Sequence, residues 1–271
     1  MGLKPIEWVD RLPSTNGRVR EVLSTQPDLP HGYALAARVQ TRGLGRMGRP
    51  WVTGPGQDVA LSVLLRPAGD DPASLVSLPL ALAMGVVDLL AGCGLDARTR
   101  WPNDVLVGGR KICGILCERL DTPAGVAVIA GVGLNVNLSA EAARGIDQPA
   151  TSLATETGRP HDVAQTADRL LAALSRRYDA WTRAGFAGLR ADWLRVSAGV
   201  GGAVSIDVGQ ATLAGTLEGF GDDGELLIRE AGGNQRTVWS ADRVRLDADS
   251  KQGPTGSPGP SEFRRTSGRL P

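Results

Sequence analysis

Histidine is almost missing from this sequence, with only His31 and His161 present. A cage of several histidines around a metal is therefore excluded, and a Ser-His-Asp triad has just two possible bases. Cysteine is scarce as well. Cys93, Cys113 and Cys117 are an odd number in a chain of 271 residues, so they form no disulfide framework and point to a reducing compartment. No CxxC…CxxC or HExxH spacing occurs. Neither sign of charge is in excess, since 30 Lys and Arg against 29 Asp and Glu leave a formal net charge of +1. On that balance neither DNA nor an anionic membrane is an expected partner. Long apolar runs are also lacking. Residues 1–16 contain no apolar core of signal-peptide length. The greasiest stretch, 78–90, is interrupted by Pro79, Gly85 and Asp88 and falls short of the roughly 20 residues that a membrane span needs. These absences predict a soluble, cytoplasmic protein.

The length suits one large domain with a smaller appendage. Along the chain, residues 15–23 predict a short helix with Ser-Thr-Asn capping chemistry at its start. Residues 33–39 and the apolar run 58–65 predict strands. Residues 75–90 predict a core helix entered near Pro79 and ended at Gly92 and Gly94. From 97 to 137 the pattern is strand, loop, strand, strand: 97–101, 105–107, a hairpin turn at Gly108-Gly109, 111–120 and 125–136. Apolar residues at helical spacing predict a helix over 162–184 and a second around 186–196. The texture then changes. Short alternating segments at 203–208, 211–218, 225–230 and 237–244, with Asp-Gly and Gly-Gly turns between them, predict a small barrel. Residues 251–271 are dominated by Gly, Pro, Ser and Thr and are expected to be disordered.

The segment 40–51 reads QTRGLGRMGRPW and contains Gly43-x-Gly45-x-x-Gly48. A dinucleotide-binding fold needs this pattern between a strand and a helix. Here Pro50 and Gly54-Pro55-Gly56 follow, and the next element is a strand, so that reading fails. No Walker-type GxxxxGK[ST] is present either. The chemistry of the loop still suits phosphate, because glycines let backbone amides approach an anion and Arg42, Arg46 and Arg49 can neutralise it. A second constellation lies downstream: Arg100-Trp-Pro-Asn-Asp104, then Lys111-Ile-Cys-Gly114-Ile-Leu, then Gly131-Val-Gly133-Leu-Asn135. A lysine opening an apolar strand is costly unless it is paired or faces an anion in a cleft.

Together and in this order, Ser14-Thr15-Asn16, the 40–51 loop, Trp101-Pro102-Asn103-Asp104, the Lys111 strand and Gly131 to Asn135 resemble the biotin protein ligases. The resemblance implies an α+β fold: a class II aminoacyl-tRNA-synthetase-like mixed sheet with helices, followed by a small SH3-like β-barrel. The implied division is a biotin/lipoate ligase-type catalytic domain over 1–196, the barrel over 197–247 and a disordered tail over 248–271. It also implies activation of biotin by ATP to biotinyl-5′-AMP, with release of pyrophosphate. Transfer of the biotinyl group to a lysine of a biotin carboxyl carrier domain then follows. Mg²⁺ arrives with ATP. No DNA and no membrane partner is implied, since 13 residues before Ser14 leave no room for the winged helix-turn-helix of the repressor members; a monomer or a homodimer is expected.

By the same resemblance Ser14, Thr15, Asn16, Gln40, Gly45 and Gly114 belong to the biotin site. Lys111 and Arg46 are expected to be catalytic and to touch both biotin and the adenylate. Arg49, Trp51, Asn103 and Asn135 are assigned to the ATP side. Two positions depart from the family pattern. Leu44 stands where an arginine is usual, and Arg100 replaces the lysine that begins the Trp-Pro turn. A weaker hold on the adenylate is expected, with Arg42 or Arg100 compensating in part. A lipoate or octanoyl ligase or transferase of the same superfamily, and a non-catalytic sensor of biotin or its adenylate, are the alternatives.

Overall fold

The structure, a computed structural model, describes residues 4–51, 54–67 and 75–246. The tail expected at 248–271 lies outside the described residues.

Strand β1 (Ile6–Leu12) leads into helix α1 (Thr15–Thr25) and strand β2 (Ala34–Gln40). Ser14 is the N-cap of α1, its hydroxyl accepting the Gly17 N–H. The glycine-arginine segment folds as a short hairpin of β3 (Gly43–Leu44) and β4 (Pro50–Trp51), joined by one helical turn at Arg46–Gly48. Next come β5 (Val59–Leu65), α2 (Leu78–Ala91), β6 (Ala97–Arg100), β7 (Asp104–Val107), β8 (Arg110–Thr122) and β9 (Gly125–Leu134). Two short helices, α3 (Ala140–Ala143) and α4 (Leu153–Thr157), precede the long α5 (Val163–Ala184) and α6 (Arg190–Val196). The last five strands are β10 (Ala203–Val208), β11 (Ala211–Phe220), β12 (Leu226–Arg229), β13 (Gln235–Val238) and β14 (Arg243–Leu246).

Seven strands form one sheet in the order β1-β2-β5-β9-β8-β7-β6. β1 runs parallel to β2 and the other pairs are antiparallel, so the sheet is mixed, as expected. All seven residues of β5 are buried, as a strand with both faces covered requires. One face carries α2, with α5 packed on its far side. This explains why α2 is apolar almost all round while α5 has a single apolar stripe. The opposite face carries α1 over Leu35, Leu64 and Ile129.

β10 to β14 make a separate antiparallel sheet, ordered β13-β12-β11-β10-β14. Its core is continuous with the larger one. Trp193 on α6 is fully buried and meets Phe186 and Phe220 edge-on, with ring centroids 6.1 and 5.7 Å apart. The Trp101 indole N–H donates to the Gly224 carbonyl at 3.0 Å. The smaller sheet is thus anchored against the end of the larger one that carries the Trp-Pro turn.

Several expectations change. The segment expected as one strand over 237–244 is two strands, β13 and β14, because Asp242 turns the chain: its N–H donates to the Asp207 carbonyl and its carboxylate accepts the Gly209 N–H. β1 has no strong alternation to announce it and is held at the sheet edge by pairing with β2. At the end of α2, Gly94 adopts the left-handed conformation, with φ 80°, whereas Gly92 stays right-handed. No helix among the described residues is long and apolar enough to cross a membrane.

Candidate active site

A cavity of about 740 Å³ opens on the α1 face of the large sheet. Every residue assigned to the biotin or ATP side lines it: Ser14, Thr15, Asn16, Gln40, Gly45 and Gly114 on one side of the assignment, Arg46, Arg49, Trp51, Asn103, Lys111 and Asn135 on the other. The floor is made by β5, β8 and β9, and the first turn of α1 forms one wall. Segment 145–150 and residues 241–246 of the small sheet, which sequence reasoning did not assign, supply further wall.

Glycine on β9 makes the space. Gly131 and Gly133 pair across the ladder with Leu116 and Gly114. A Cβ at Gly131 would collide with the Asn16 carboxamide, and one at Gly133 with the Trp51 indole. Asn16 and Trp51 therefore lie flat on the sheet only because these positions have no side chain.

At the deep end the polar groups bond to one another. The Thr15 N–H and hydroxyl reach Gln40 Oε1 at 2.7 and 3.0 Å. The Ser62 hydroxyl lies 2.7 Å from Thr15 Oγ1 and 2.5 Å from Asn16 Oδ1. Asn16 Nδ2 donates to Glu118 Oε2 at 2.6 Å. Ser62 was not foreseen; its signal is a lone hydroxyl inside the apolar run VALSVLL, a position that must find partners when buried. All these groups are neutral except Glu118, which stands behind the others and does not line the cavity.

The other end is cationic. Among the residues lining the cavity, six are basic (Arg46, Arg49, Arg100, Lys111, Arg243, Arg245) and three acidic (Asp104, Asp147, Asp242), which suits an anion. Lys111 Nζ is 2.6 Å from Asp104 Oδ1 and lies over the Trp51 ring, 5.6 Å from its centroid. Arg100 grips the other Asp104 oxygen at 2.7 Å and Gln148 Oε1 at 3.1 Å. Burial on its own would raise the Asp104 carboxyl, but the Lys111 and Arg100 cations outweigh it and hold that carboxyl below the usual carboxylate range. The cost of a lysine opening an apolar strand is thus met by Asp104.

Arg46 donates to Ser240 Oγ at 3.2 Å and to the Ala241 carbonyl at 3.1 Å, and Arg49 bonds the Asp242 carbonyl. The glycine-arginine hairpin is therefore seated on the turn between β13 and β14. Burial lowers the Arg46 pKa from its ordinary value. Met47, at the hairpin tip, holds φ 55°, a left-handed conformation that a non-glycine residue adopts at a cost. Asn103 and Asn135 give their Nδ2 groups to the Ile115 and Thr151 carbonyls at 2.7 and 2.9 Å, which ties the turn and the strand end in place. Arg42 is not on the cavity wall, and Arg100 is engaged by Asp104 and Gln148. Neither is placed to supply the cation expected at position 44.

Fold and site together define an α+β enzyme domain with a divided cavity, one end neutral and hydrogen-bonding, the other cationic. The chain belongs to the Biotin/lipoate A/B protein ligase family, whose pattern matches residues 8–135. It is 36% identical over 232 residues to a biotin–[acetyl-CoA-carboxylase] ligase of Paracoccus denitrificans, covering 83% of this chain and 94% of that one. A biotin–[acetyl-CoA-carboxylase] ligase of Mycobacterium tuberculosis is 32% identical over 250 residues, 90% of each chain. Among solved structures, the biotin protein ligase of Aquifex aeolicus in complex with biotin and ATP superposes with a TM-score of 0.79 at 27% identity, covering 90% of this chain and all of that one.

Proposed function

We propose that this chain is an ATP-dependent biotin protein ligase. The biotin carboxylate attacks the α-phosphorus of ATP, forming biotinyl-5′-AMP and releasing pyrophosphate. The ε-amine of a lysine on a biotin carboxyl carrier domain then attacks the acyl carbon, and AMP leaves. Neither step needs a histidine base or a cysteine nucleophile; the first needs two anions, carboxylate and α-phosphate, brought together, and both need a leaving phosphate neutralised.

The observation that carries this reading is the division of one cavity into a preset neutral floor and a cationic mouth. The floor suits a head group rich in donors and acceptors, which a cyclic urea is and a dithiolane is not. A polar floor rejects an apolar ligand because its own groups are left unpaired. This favours biotin over lipoate or an octanoyl group. Thr15, Asn16 and Gln40 would recognise the head group, with Ser14 and the backbone at Gly45 and Gly114 shaping the walls. Lys111 and Arg46 would contact the carboxyl and phosphate oxygens, and Arg49, Trp51, Asn103 and Asn135 would complete the adenylate side. The buried Trp51 Nε1 has no partner among the described residues, which supports a ligand acceptor there.

Among the described residues no group of three or more His, Cys, Asp or Glu converges on one point. Magnesium is accordingly proposed to enter as the ATP complex, held mainly by phosphate oxygens. ATP as co-substrate implies a cytoplasmic setting.

Biotin-dependent ATP–pyrophosphate exchange tests the reading. Exchange with biotin and none with lipoate is expected, followed by a biotinyl mass gain on one lysine of a carrier domain incubated with biotin, Mg²⁺ and ATP. Exchange with lipoate instead would move the assignment to the lipoate ligases. Biotin binding without exchange would make the chain a sensor.

A further inference from the structure

Glu118 lies on β8 two residues beyond Leu116, on the same face but outside the cavity lining. Its carboxylate holds two donors from α1. Asn16 Nδ2 is 2.6 Å from Oε2, and Arg20 Nη2 is 2.5 Å from Oε1. Asn16 and Arg20 are four residues apart and so share one face of the helix. A charged side chain thus stands directly behind a neutral hydrogen-bond network.

The two ends of a carboxamide are nearly equal in size, so neighbours decide which end faces where. Behind Asn16 stand only acceptors, the Glu118 carboxylate and the Leu116 carbonyl at 3.4 Å. Nδ2 must turn to them, and Oδ1 must face forward to Ser62 Oγ at 2.5 Å. Ser62 is fully buried and has one proton, which Asn16 Oδ1 takes. Thr15 then meets only acceptors, Ser62 Oγ and Gln40 Oε1. Gln40 Oε1 also accepts the Thr15 N–H, which leaves Gln40 Nε2 as its free donor. Polarity fixed at Glu118 is therefore passed through Asn16 and Ser62 to the Thr15 hydroxyl, beside a Gln40 carboxamide that the Thr15 N–H turns the same way.

We propose that Glu118, clamped by Arg20, is a positioning residue that sets the donor and acceptor polarity of the head-group floor. This rests on the biotin reading given above. Its consequence is selectivity for a head group of one polarity, a urea whose oxygen accepts, over an isostere of the opposite polarity.

The test compares the full chain with Glu118→Ala and Glu118→Gln, using calorimetric binding of biotin and of 2-iminobiotin, whose head group donates where the ureido oxygen accepts. ATP–pyrophosphate exchange kinetics are measured alongside. Glu118→Ala is expected to weaken biotin at least tenfold and to narrow the biotin-to-iminobiotin ratio several-fold, with the KM for ATP and the kcat at saturating biotin within about twofold. Glu118→Gln keeps an acceptor for Asn16 and is expected to recover most of the biotin affinity. Thermal melts identify a variant that fails to fold; if Glu118→Ala does, Glu118→Leu, which keeps bulk at the position but offers Asn16 no acceptor, carries the comparison with the same expected loss. An unchanged ratio, or KM values for biotin and ATP that rise together, overturns the proposal. Failure of the native chain to bind biotin overturns the biotin reading and this inference with it, whereas native binding that is equalled by the variant without an acceptor overturns the inference alone.

Discussion

At the deep end of the cavity the polar side chains stand on β2, β5 and the first turn of α1, and each bonds another side chain of the same cluster. At the mouth, Arg46 and Arg49 stand on a hairpin, and the groups they hold are backbone and hydroxyl oxygens of the distant 240–242 turn. Thr15, Asn16 and Ser62 are 4%, 7% and 0% exposed, whereas Leu44 and Met47 on the hairpin are 55% and 66% exposed. The contrast follows from the forces involved. Neutral hydrogen bonds fail within a few tenths of an ångström or a few tens of degrees, so they belong on strands and helix turns. Attraction between charges falls only as the inverse of distance, so a hairpin serves to place it. On the proposed function, recognition is built into the sheet, and neutralisation is carried by a loop seated on the second sheet.

Removing the charge at the mouth should have the largest effect. Lys111→Ala is expected to lower biotin-dependent ATP–pyrophosphate exchange by roughly a thousandfold, the upper range for losing one preorganised electrostatic contact. Biotin affinity without ATP should fall far less, by about tenfold. The fold should survive, since Asp104 keeps its 2.7 Å partner Arg100. Exchange near the native rate would remove Lys111 from the chemistry.

The next test separates the two ends on a single strand. Gly131→Ala places a methyl against the Asn16 carboxamide, and Gly133→Ala places one against the Trp51 indole. The first should raise the KM for biotin by on the order of a hundredfold and leave the KM for ATP within a few-fold, while the second should act chiefly on ATP. If both substitutions move the same constant, the division of the cavity is wrong.

The residues that could be read in the sequence are those whose chemistry is expensive or narrow. A lysine in an apolar strand and arginines among glycines stand out because few structural roles need them, whereas the Trp-Pro turn carries weight only in its order with the other motifs. Gly131 looked ordinary, yet its place under Asn16 is a demand for close approach that no local pattern signals. Ser62, Asp104 as the clamp of Lys111, Glu118, and the wall at 241–246 were not seen, because each acts through a partner far along the chain; Asn16 and Glu118 are 102 positions apart. The main strands and helices followed from apolar periodicity. β1 did not, since an edge strand owes its state to its neighbour, and the break between β13 and β14, expected as one strand, comes from an Asp242 turn fixed by residues 207 and 209.

Leu44 sharpens the comparison at the mouth itself. It lines the cavity on the hairpin where the resemblance leads one to expect a cation, and neither Arg42 nor Arg100 is placed to compensate. Leu44→Arg is expected to slow dissociation of biotinyl-5′-AMP about tenfold, equivalent to about 1.4 kcal/mol, with biotin affinity alone unchanged. Equal dissociation rates in the two proteins would mean that the hairpin does not hold the phosphate through this position.

Trp51 stands between the two ends, its ring over Gly133 and under Lys111, with an indole N–H that is buried and has no acceptor among the described residues. An unpaired buried donor costs stability until a ligand takes it, so Trp51→Phe should act in opposite directions on fold and function. Losing the N–H relieves the unliganded protein, and its melting temperature should stay level or rise slightly. Binding should weaken by about fivefold, the usual loss of one neutral hydrogen bond of about 1 kcal/mol. Which constant moves decides where Trp51 belongs: a change in the KM for ATP assigns it to the cationic mouth, and a change in the KM for biotin assigns it to the floor. A lower melting temperature with both constants unchanged would mean that the indole only packs on the glycine strand and that its N–H meets no ligand.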